Sequence, residues 1–291
     1  MRAVVLAAGL GTRLLPYSKE MPKEMLPIYV VDGGRPVLKP ILQVVFEQLY
    51  EAGVREFCFV VGRGKRAVED HFTPDWGYVE LLEMKGKRDA ASMLTRFYEM
   101  VEDSDITWVN QPVPRGTGDA VLRARRFAGD GYFIVAAGDN VFIGENVARR
   151  LLELHGELGG AVMAAKRVSR PERYGVIVGE RVSGRIVRLR RLLEKPREPP
   201  SDLVNTSLYL LPPETFDALQ QCRPSPRGEI ELTDAVQMLV DWGHEVYAYD
   251  VGDAYWIDVG TPESYLDALL LSLKASGSPS MVTRAEELLH T

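Results

Sequence analysis

The chain has 291 residues, 46% hydrophobic and 26% charged, with a formal net charge of −6. That much apolar material builds one large α/β domain or two small ones, and an acidic balance without a basic tail argues against nucleic acid as the main partner. Met1 is followed by Arg2 and only six apolar residues before Gly9, and no apolar run has the length of a membrane span, so neither a signal peptide nor an anchor is expected and the protein reads as cytoplasmic.

In chain order, Ala3–Ala8 reads as a buried first strand, Leu42–Ala52 as a helix stopped by Gly53, and Phe57–Val61 as a second buried strand. A short helix over Arg66–Phe72 follows, then a strand over Ile106–Val109, a helix over Gly118–Phe127 and a strand over Tyr132–Ala137. Strands that are apolar on both faces and separated by helices predict a mainly parallel sheet covered by helices. Right-handed crossovers then collect the loops after the strands along one ligand-bearing edge. Beyond residue 160 the pattern loosens. Strand-like pieces at Ala161–Ala165, Gly175–Val178, Ile186–Leu189 and Ser207–Leu211 suggest a mixed, partly antiparallel extension, with helices over Glu214–Leu219, Leu232–Asp241 and Ser264–Ala275. Ser276–Ser280 reads as a linker before a short final helix. The expected organisation is one domain over 1–275, with a nucleotide-binding half (1–160) and a sugar-phosphate half (161–262), and a tail over 276–291.

The two cysteines, Cys58 and Cys222, make no disulfide framework, and Cys58 in its apolar strand reads as a core residue. His71, His155, His244 and His290 are scattered without ligand spacing and read as surface or structural residues. Asp103-Ser104-Asp105 fits a loose metal pattern but precedes its strand, so it reads as surface, as does the basic run of Arg185, Arg188, Arg190 and Arg191.

Gly9-Leu10-Gly11-Thr12-Arg13 follows the first strand directly. Glycine there lets backbone N–H groups approach phosphate oxygens or a base edge, and Arg13 brings a cation into the same loop. The dinucleotide fingerprint fails because its third glycine position is Leu14, and the phosphate-loop motif fails because Gly64-Lys65 and Gly86-Lys87 are both followed by Arg. Alone, the loop reads equally as a tight turn. The stretch Pro16–Pro27 after it has three prolines, two lysines and no helical period, and a connection that long usually binds something.

Together, Gly9-Leu10-Gly11-Thr12-Arg13 and Pro22-Lys23-Glu24-Met25-Leu26-Pro27 resemble the signature of the sugar-1-phosphate nucleotidyltransferases, and Gly62–Phe72 looks like their UTP–glucose-1-phosphate uridylyltransferase branch in particular. Gln111-Pro112, Gly116-Thr117-Gly118, Gly138-Asp139-Asn140, Tyr174-Gly175, Glu194-Lys195-Pro196 and Gly228–Asp234 then fall in the family's order. The resemblance implies a Rossmann-like, mixed but mainly parallel α/β sheet with a smaller antiparallel sugar-binding extension. It also implies UTP and glucose 1-phosphate as small-molecule substrates, a Mg²⁺ cofactor, and a homo-oligomer.

In that family's reaction a sugar-phosphate oxygen attacks the α-phosphorus and pyrophosphate leaves. Two unit charges about 4 Å apart repel by roughly 4 kcal/mol at an effective dielectric near 20, so concentrated cation is the core of the chemistry. By resemblance, Arg13 neutralises the departing pyrophosphate and Lys23 aligns the attack, while Asp139 and Asp258 hold the metal. Read without the family, both aspartates also fit turn caps. Ala8, Gly9, Gly11, Glu24, Gln111 and Gly116 are carried over as nucleotide-binding residues, and Gly175, Glu194, Lys195 and Asn205 as sugar-phosphate-binding ones. A phosphate monoester is already ionised near neutral pH, so no general base is needed. Asn140 stands where the uridylyltransferase branch usually has a second aspartate, and Trp256–Thr261 looks more like the thymidylyltransferase branch, which keeps dTTP as an alternative to UTP. A non-catalytic sugar-nucleotide-binding protein is a further alternative, and it would be expected to lack at least one of Arg13, Lys23, Asp139 and Asp258.

Overall fold

Strand β4 (Glu56–Val61) alternates Phe57, Phe59 and Val61 with Cys58 and Val60, and all five side chains are buried. The first set joins a core on one face of the sheet and the second set a separate core on the other. This is the two-faced burial predicted from the apolar runs, and burying both faces stabilises a strand at ~25 cal/mol per Å² of apolar surface. The computed structural model describes residues 1–278, 281–284 and 287.

The strands in chain order are β1 (Arg2–Ala7), β2 (Pro27–Asp32), β3 (Arg35–Pro40), β4, β5 (Asp105–Asn110), β6 (Phe133–Ala137), β7 (Asn140–Ile143) and β8 (Ala161–Arg167). They continue with β9 (Gly175–Ser183), β10 (Ile186–Glu194), β11 (Leu203–Leu211), β12 (Val246–Asp250) and β13 (Tyr255–Asp258). Nine of them form one sheet in the order β5-β4-β1-β6-β11-β8-β12-β10-β9. β5, β4, β1 and β6 run parallel, whereas β11 is antiparallel to both β6 and β8, and β10 to both β12 and β9. The expected α/β class with a mainly parallel first half and an antiparallel extension is therefore borne out. β8 is parallel to β12 within that extension. β2 and β3 form a separate hairpin, and β7 and β13 a second two-stranded ladder.

Helices cover both faces: α1 (Ile41–Glu51), α2 (Arg66–His71), α3 (Trp76–Met84), α4 (Arg88–Glu102), α5 (Thr117–Arg123), α6 (Arg125–Ala128), α7 (Val147–Leu158), α8 (Thr215–Gln221), α9 (Leu232–Asp241) and α10 (Pro262–Ala275). α1, α4 and α7 belong to the first core, and α5, α8 and α9 to the second. The single helix expected over Gly118–Phe127 is two, divided at Ala124. Trp76–Glu102, where the apolar pattern predicts no element, forms α3 and α4; α3 is capped by the Asp75 carboxylate, which accepts from the Tyr78 N–H at 2.9 Å. The Pro27–Pro40 hairpin is likewise absent from the sequence reading because of its prolines. Pro27 and Pro40 pair at its open end, and Gly33 and Gly34 take the positive φ values, 58° and 79°, that a two-residue hairpin turn requires. Of the expected terminal helix only 281–284 and 287 are described, and His290 lies outside the described residues. Among the described residues, no helix is long and apolar enough to cross a membrane.

Candidate active site

The C-terminal end of β1 runs into Ala8-Gly9-Leu10-Gly11. Gly11 has φ 63°, a left-handed value that lets the chain turn into the short helical turn Thr12–Leu14, and its carbonyl accepts from Ser18 Oγ at 2.7 Å. The proline-bearing connection after it adds two more such turns, Tyr17–Lys19 and Lys23–Met25. They fold back so that the Lys23 side chain passes Gly9, where a Cβ would stand 3.5 Å from Lys23 Cε. The Lys23 ammonium ends on the Asp139 carboxylate. Burial works against its charge, but Asp139, with Glu24 and Asp258 adding to it, more than offsets this and holds the amine above its ordinary pKa. Glu24 is 1% exposed and pairs with Lys65 at 2.7 Å, and Lys65 is itself 7% exposed. Burial raises the Glu24 pKa against the pull of Lys65 and Lys23.

Asp139 follows β6 after Gly138, whose N–H donates to Leu6 O at 2.8 Å, so the carboxylate sits beside the end of β1. Asp258, at the end of β13, faces Asn140 in the ladder with β7. Its carboxyl is pushed up to about 6 by burial and by the charge of Asp139, against Lys23, Arg13 and Arg173. The two aspartates, 119 positions apart in sequence (258 − 139), thus share one electrostatic environment. Arg13 lies across Gly260, where a Cβ would stand 2.8 Å from Arg13 Nη2. Among the described residues no cluster of three or more His, Cys, Asp or Glu is arranged as a metal cage. One or two carboxylates completed by substrate phosphate oxygens is the way Mg²⁺ is usually held, so Asp139 and Asp258 fit that ion.

Gln111 ends β5's run and is 4% exposed. Its Nε2 donates to Asp119 Oδ2 at 2.8 Å and to Gly116 O at 3.2 Å, and Arg123 holds Asp119 at 3.0 Å. Among the described residues nothing donates to Gln111 Oε1, which leaves an oriented acceptor. Gly116 has φ 100°, and a Cβ there would stand 2.5 Å from Ile230 O, so only glycine lets these two loops interlock.

The remaining candidates gather around β9, β10 and β11. A Cβ on Gly175 would lie 3.5 Å from Glu194 Oε2 and 3.6 Å from Asn205 Cβ. Glu194 accepts from Thr233 Oγ1 at 3.0 Å and pairs with Lys195 Nζ at 3.1 Å. Lys195 takes a left-handed φ of 44°, and its N–H donates to Tyr174 O at 3.0 Å. Asn205 Oδ1 accepts from the Ser207 N–H at 2.8 Å. The structure therefore collects Ala8, Gly9, Gly11, Arg13, Lys23, Glu24, Asp139 and Asp258 at one end, and Gly175, Glu194, Lys195 and Asn205 at the other. Tyr174 joins the ends, because its backbone receives the Lys195 N–H while burial and the nearby Asp258 charge raise the pKa of its phenol. Gln111 and Gly116 reach the second group through the Ile230–Thr233 segment, since Gly118 N donates to Ile230 O at 2.8 Å.

The residue pattern does not single out Lys65, Arg173, Arg227 or Thr233. Lys65 lies inside the Gly62–Phe72 motif and Thr233 inside Gly228–Asp234, but their partners are distant in sequence. Arg227 immediately precedes the latter motif and pairs with Glu231 at 2.6 Å and Glu229 at 3.1 Å. Asp103 is 59% exposed and pairs with Arg55, in keeping with the surface reading of Asp103–Asp105.

The chain belongs to the nucleotidyl transferase family, whose profile matches residues 2–274. The resemblance read from the glycine loop and the Pro-Lys-Glu motif is thus borne out, and with it the enzyme class. The chain is 38% identical over 265 residues to UTP–glucose-1-phosphate uridylyltransferase 2 of Staphylococcus saprophyticus, covering 89% of this chain and 87% of that one. It is 35% identical over 269 residues to the UTP–glucose-1-phosphate uridylyltransferase of Pseudomonas aeruginosa, covering 90% and 92%. Among solved structures, a UDP-glucose pyrophosphorylase complexed with UDP-glucose superposes with a TM-score of 0.80 at 28% identity, over 94% of this chain and 98% of the other. A UTP-bound UGPase from Acinetobacter baumannii gives 0.82 at 29% identity, over 99% and 98%.

Proposed function

We propose that this protein transfers the uridylyl group of UTP to glucose 1-phosphate, forming UDP-glucose and releasing pyrophosphate. The observation that carries the reading is the pairing of Asp139 and Asp258 in one buried environment with Lys23 and Arg13 beside them. It agrees with what the similar enzymes and the ligands of the similar structures are named for. Asp139 and Asp258 would hold Mg²⁺, which would supply charge neutralisation for the phosphates of both substrates. Lys23 holds the α-phosphate and the incoming sugar phosphate at reacting distance, and Arg13 takes the charge that develops on pyrophosphate. Gln111 Oε1 accepts from an imide N–H of the base, a donor that uracil and thymine have and cytosine lacks. Ala8, Gly9 and Gly11 border the nucleotide, and Glu24 sets the field around Lys23. Glu194 and Asn205 take the sugar hydroxyls beside Gly175, and Lys195 reaches the sugar phosphate. The same reading makes the protein a cytoplasmic homo-oligomer without nucleic-acid or membrane partners.

Pyrophosphate release from UTP, dTTP, CTP, ATP and GTP with glucose 1-phosphate and Mg²⁺ is the test. UTP is expected to lead. Preference for dTTP, toward which Asn140 and Trp256 lean, replaces uridylyl by thymidylyl transfer, and no release with any nucleotide overturns the reading. Asp139→Ala is expected to remain folded, less stable than the wild type because Lys23 loses its partner, and to lose at least about 1,000-fold in turnover.

A further inference from the structure

Asn140 and Trp256 take no part in the reaction as described above, yet they connect its two carboxylates. β7 and β13 form their own ladder, pairing Asn140 with Asp258 and Phe142 with Trp256, so Asn140 and Trp256 are diagonal neighbours on one face. Trp256 Nε1 donates to Asn140 Oδ1 at 2.7 Å, and Asn140 Nδ2 donates to Asp139 Oδ1 at 3.2 Å. The other Asp139 oxygen receives Lys23. The Trp256 ring packs 5.1 Å from the Tyr174 ring, inclined at 60°. Uncharged groups therefore run from the Tyr174 ring through Trp256 and Asn140 to Asp139.

We propose that Trp256 and Asn140 form a positioning relay that fixes the Asp139 carboxylate for its divalent cation, with Trp256 acting through Asn140. The proposal rests on the metal reading of Asp139 and Asp258. The chemistry of the amide is what makes the relay specific. A carboxamide accepts through oxygen and donates through nitrogen, and nothing but its surroundings decides which end faces which neighbour. The indole N–H only donates, so it claims the Asn140 oxygen and turns the nitrogen toward Asp139. Without it the amide can rotate and present oxygen to the carboxylate, which repels it. A carboxylate at position 140 accepts from the indole equally well but has no proton for Asp139, and its charge opposes that of Asp139. Because the relay is neutral, it orients a metal ligand without offsetting the negative charge that the cation needs.

The test is Mn²⁺ titration, followed by electron paramagnetic resonance, on protein with UDP-glucose and no pyrophosphate, so that nothing turns over. Trp256→Phe keeps the ring against Tyr174 and removes only the N–H; Asn140→Ala removes the link. Each is expected to weaken Mn²⁺ binding about tenfold or more, in the range typical of lost outer-shell partners, with the melting temperature little changed. The double variant is expected to bind as weakly as Asn140→Ala alone, because Trp256 has no other route to Asp139. Two side chains that merely support the fold would lower the melting temperature and leave the affinity of the folded protein unmoved. Wild-type affinity in either single variant overturns the relay, as do losses that add in the double variant. Wild-type protein that binds no Mn²⁺ overturns the metal reading and the relay with it. If Trp256→Phe does not fold, unchanged affinity in Asn140→Ala still overturns the relay and weakened affinity supports it.

Discussion

The two ends of the candidate site hold their charges in different ways. At the nucleotide end two lysines have one buried partner each: Lys23 sits on Asp139, with side chains 16% and 12% exposed, and Lys65 on Glu24, with side chains 7% and 1% exposed. At the sugar-phosphate end Arg227 divides itself among Glu231, Glu229 and Glu194 at 2.6, 3.1 and 3.6 Å, and Lys195 shares Glu194 at 3.1 Å. Both of these cations are more than two-fifths exposed, at 43% and 42%. A buried pair cannot change partners without leaving a desolvated charge alone, whereas exposed pairs contribute little and exchange readily. On the proposed reading, the nucleotide end holds its lysines in fixed buried pairs, and the sugar-phosphate end is a set of cations that an arriving phosphate recruits from their carboxylates.

The largest effect that separates the two ends belongs to the Lys65–Glu24 pair. Lys65→Met leaves the Glu24 carboxylate buried without its partner and is expected to cost ~3–5 kcal/mol of stability, as measured by urea unfolding. Adding Glu24→Gln to that variant recovers part of the loss. A loss below about 1 kcal/mol in the single variant would put this end in the same class as the exposed one.

Next comes pH. His71 stacks on Phe97 with ring centroids 5.0 Å apart and lies 3.0 Å from Gln43 Oε1. Burial pulls its pKa down to about 4. The unfolded chain therefore takes up this proton first, and the stability that the neutral imidazole contributes is lost as pH falls from about 6.5 toward 4, by on the order of 3 kcal/mol. Burial raises Glu24 and Asp258 at one end of the site and Glu231 and Asp234 at the other, so their folded forms hold protons more readily and their effect has the opposite sign to that of His71. Unfolding curves of wild type and His71→Phe should diverge over that window and run parallel above it; curves parallel throughout would take His71 out of the acid response.

The smallest effect tests the recruitable end. Glu194→Gln keeps the hydrogen-bonding shape and removes the charge that Lys195 and Arg227 share. It is expected to raise KM for glucose 1-phosphate roughly tenfold and to leave KM for UTP unmoved. An equal rise for UTP would mean that the two ends do not act separately.

Much of this was legible in the residues. β1, β4 and β6 could be read because strands buried on both faces are apolar at every position, and Leu232–Asp241 because its helical period is unbroken. Arg13, Lys23, Asp139 and Asp258 were legible through motif order, which survives in a single sequence. The β2–β3 hairpin was hidden by prolines that sit at its open end and edge, where they interrupt no central ladder. The Lys65–Glu24 pair was hidden because its members are 41 positions apart: Glu24 reads as a nucleotide-binding residue and Lys65 as an ordinary charge, and nothing local joins them.

By itself, then, the sequence determined which residues could carry phosphate chemistry and on which strands and turns they ride, since backbone propensity, apolar period and turn glycines act over a few neighbouring positions. Only the tertiary structure decided which of those residues face one another. The insertion of β11 between β6 and β8, the laddering of β7 with β13, and the return of Lys23 to Asp139 are all matters of long-range pairing. Such pairings depend on which surfaces exclude water together, and no local stretch of chain contains that information.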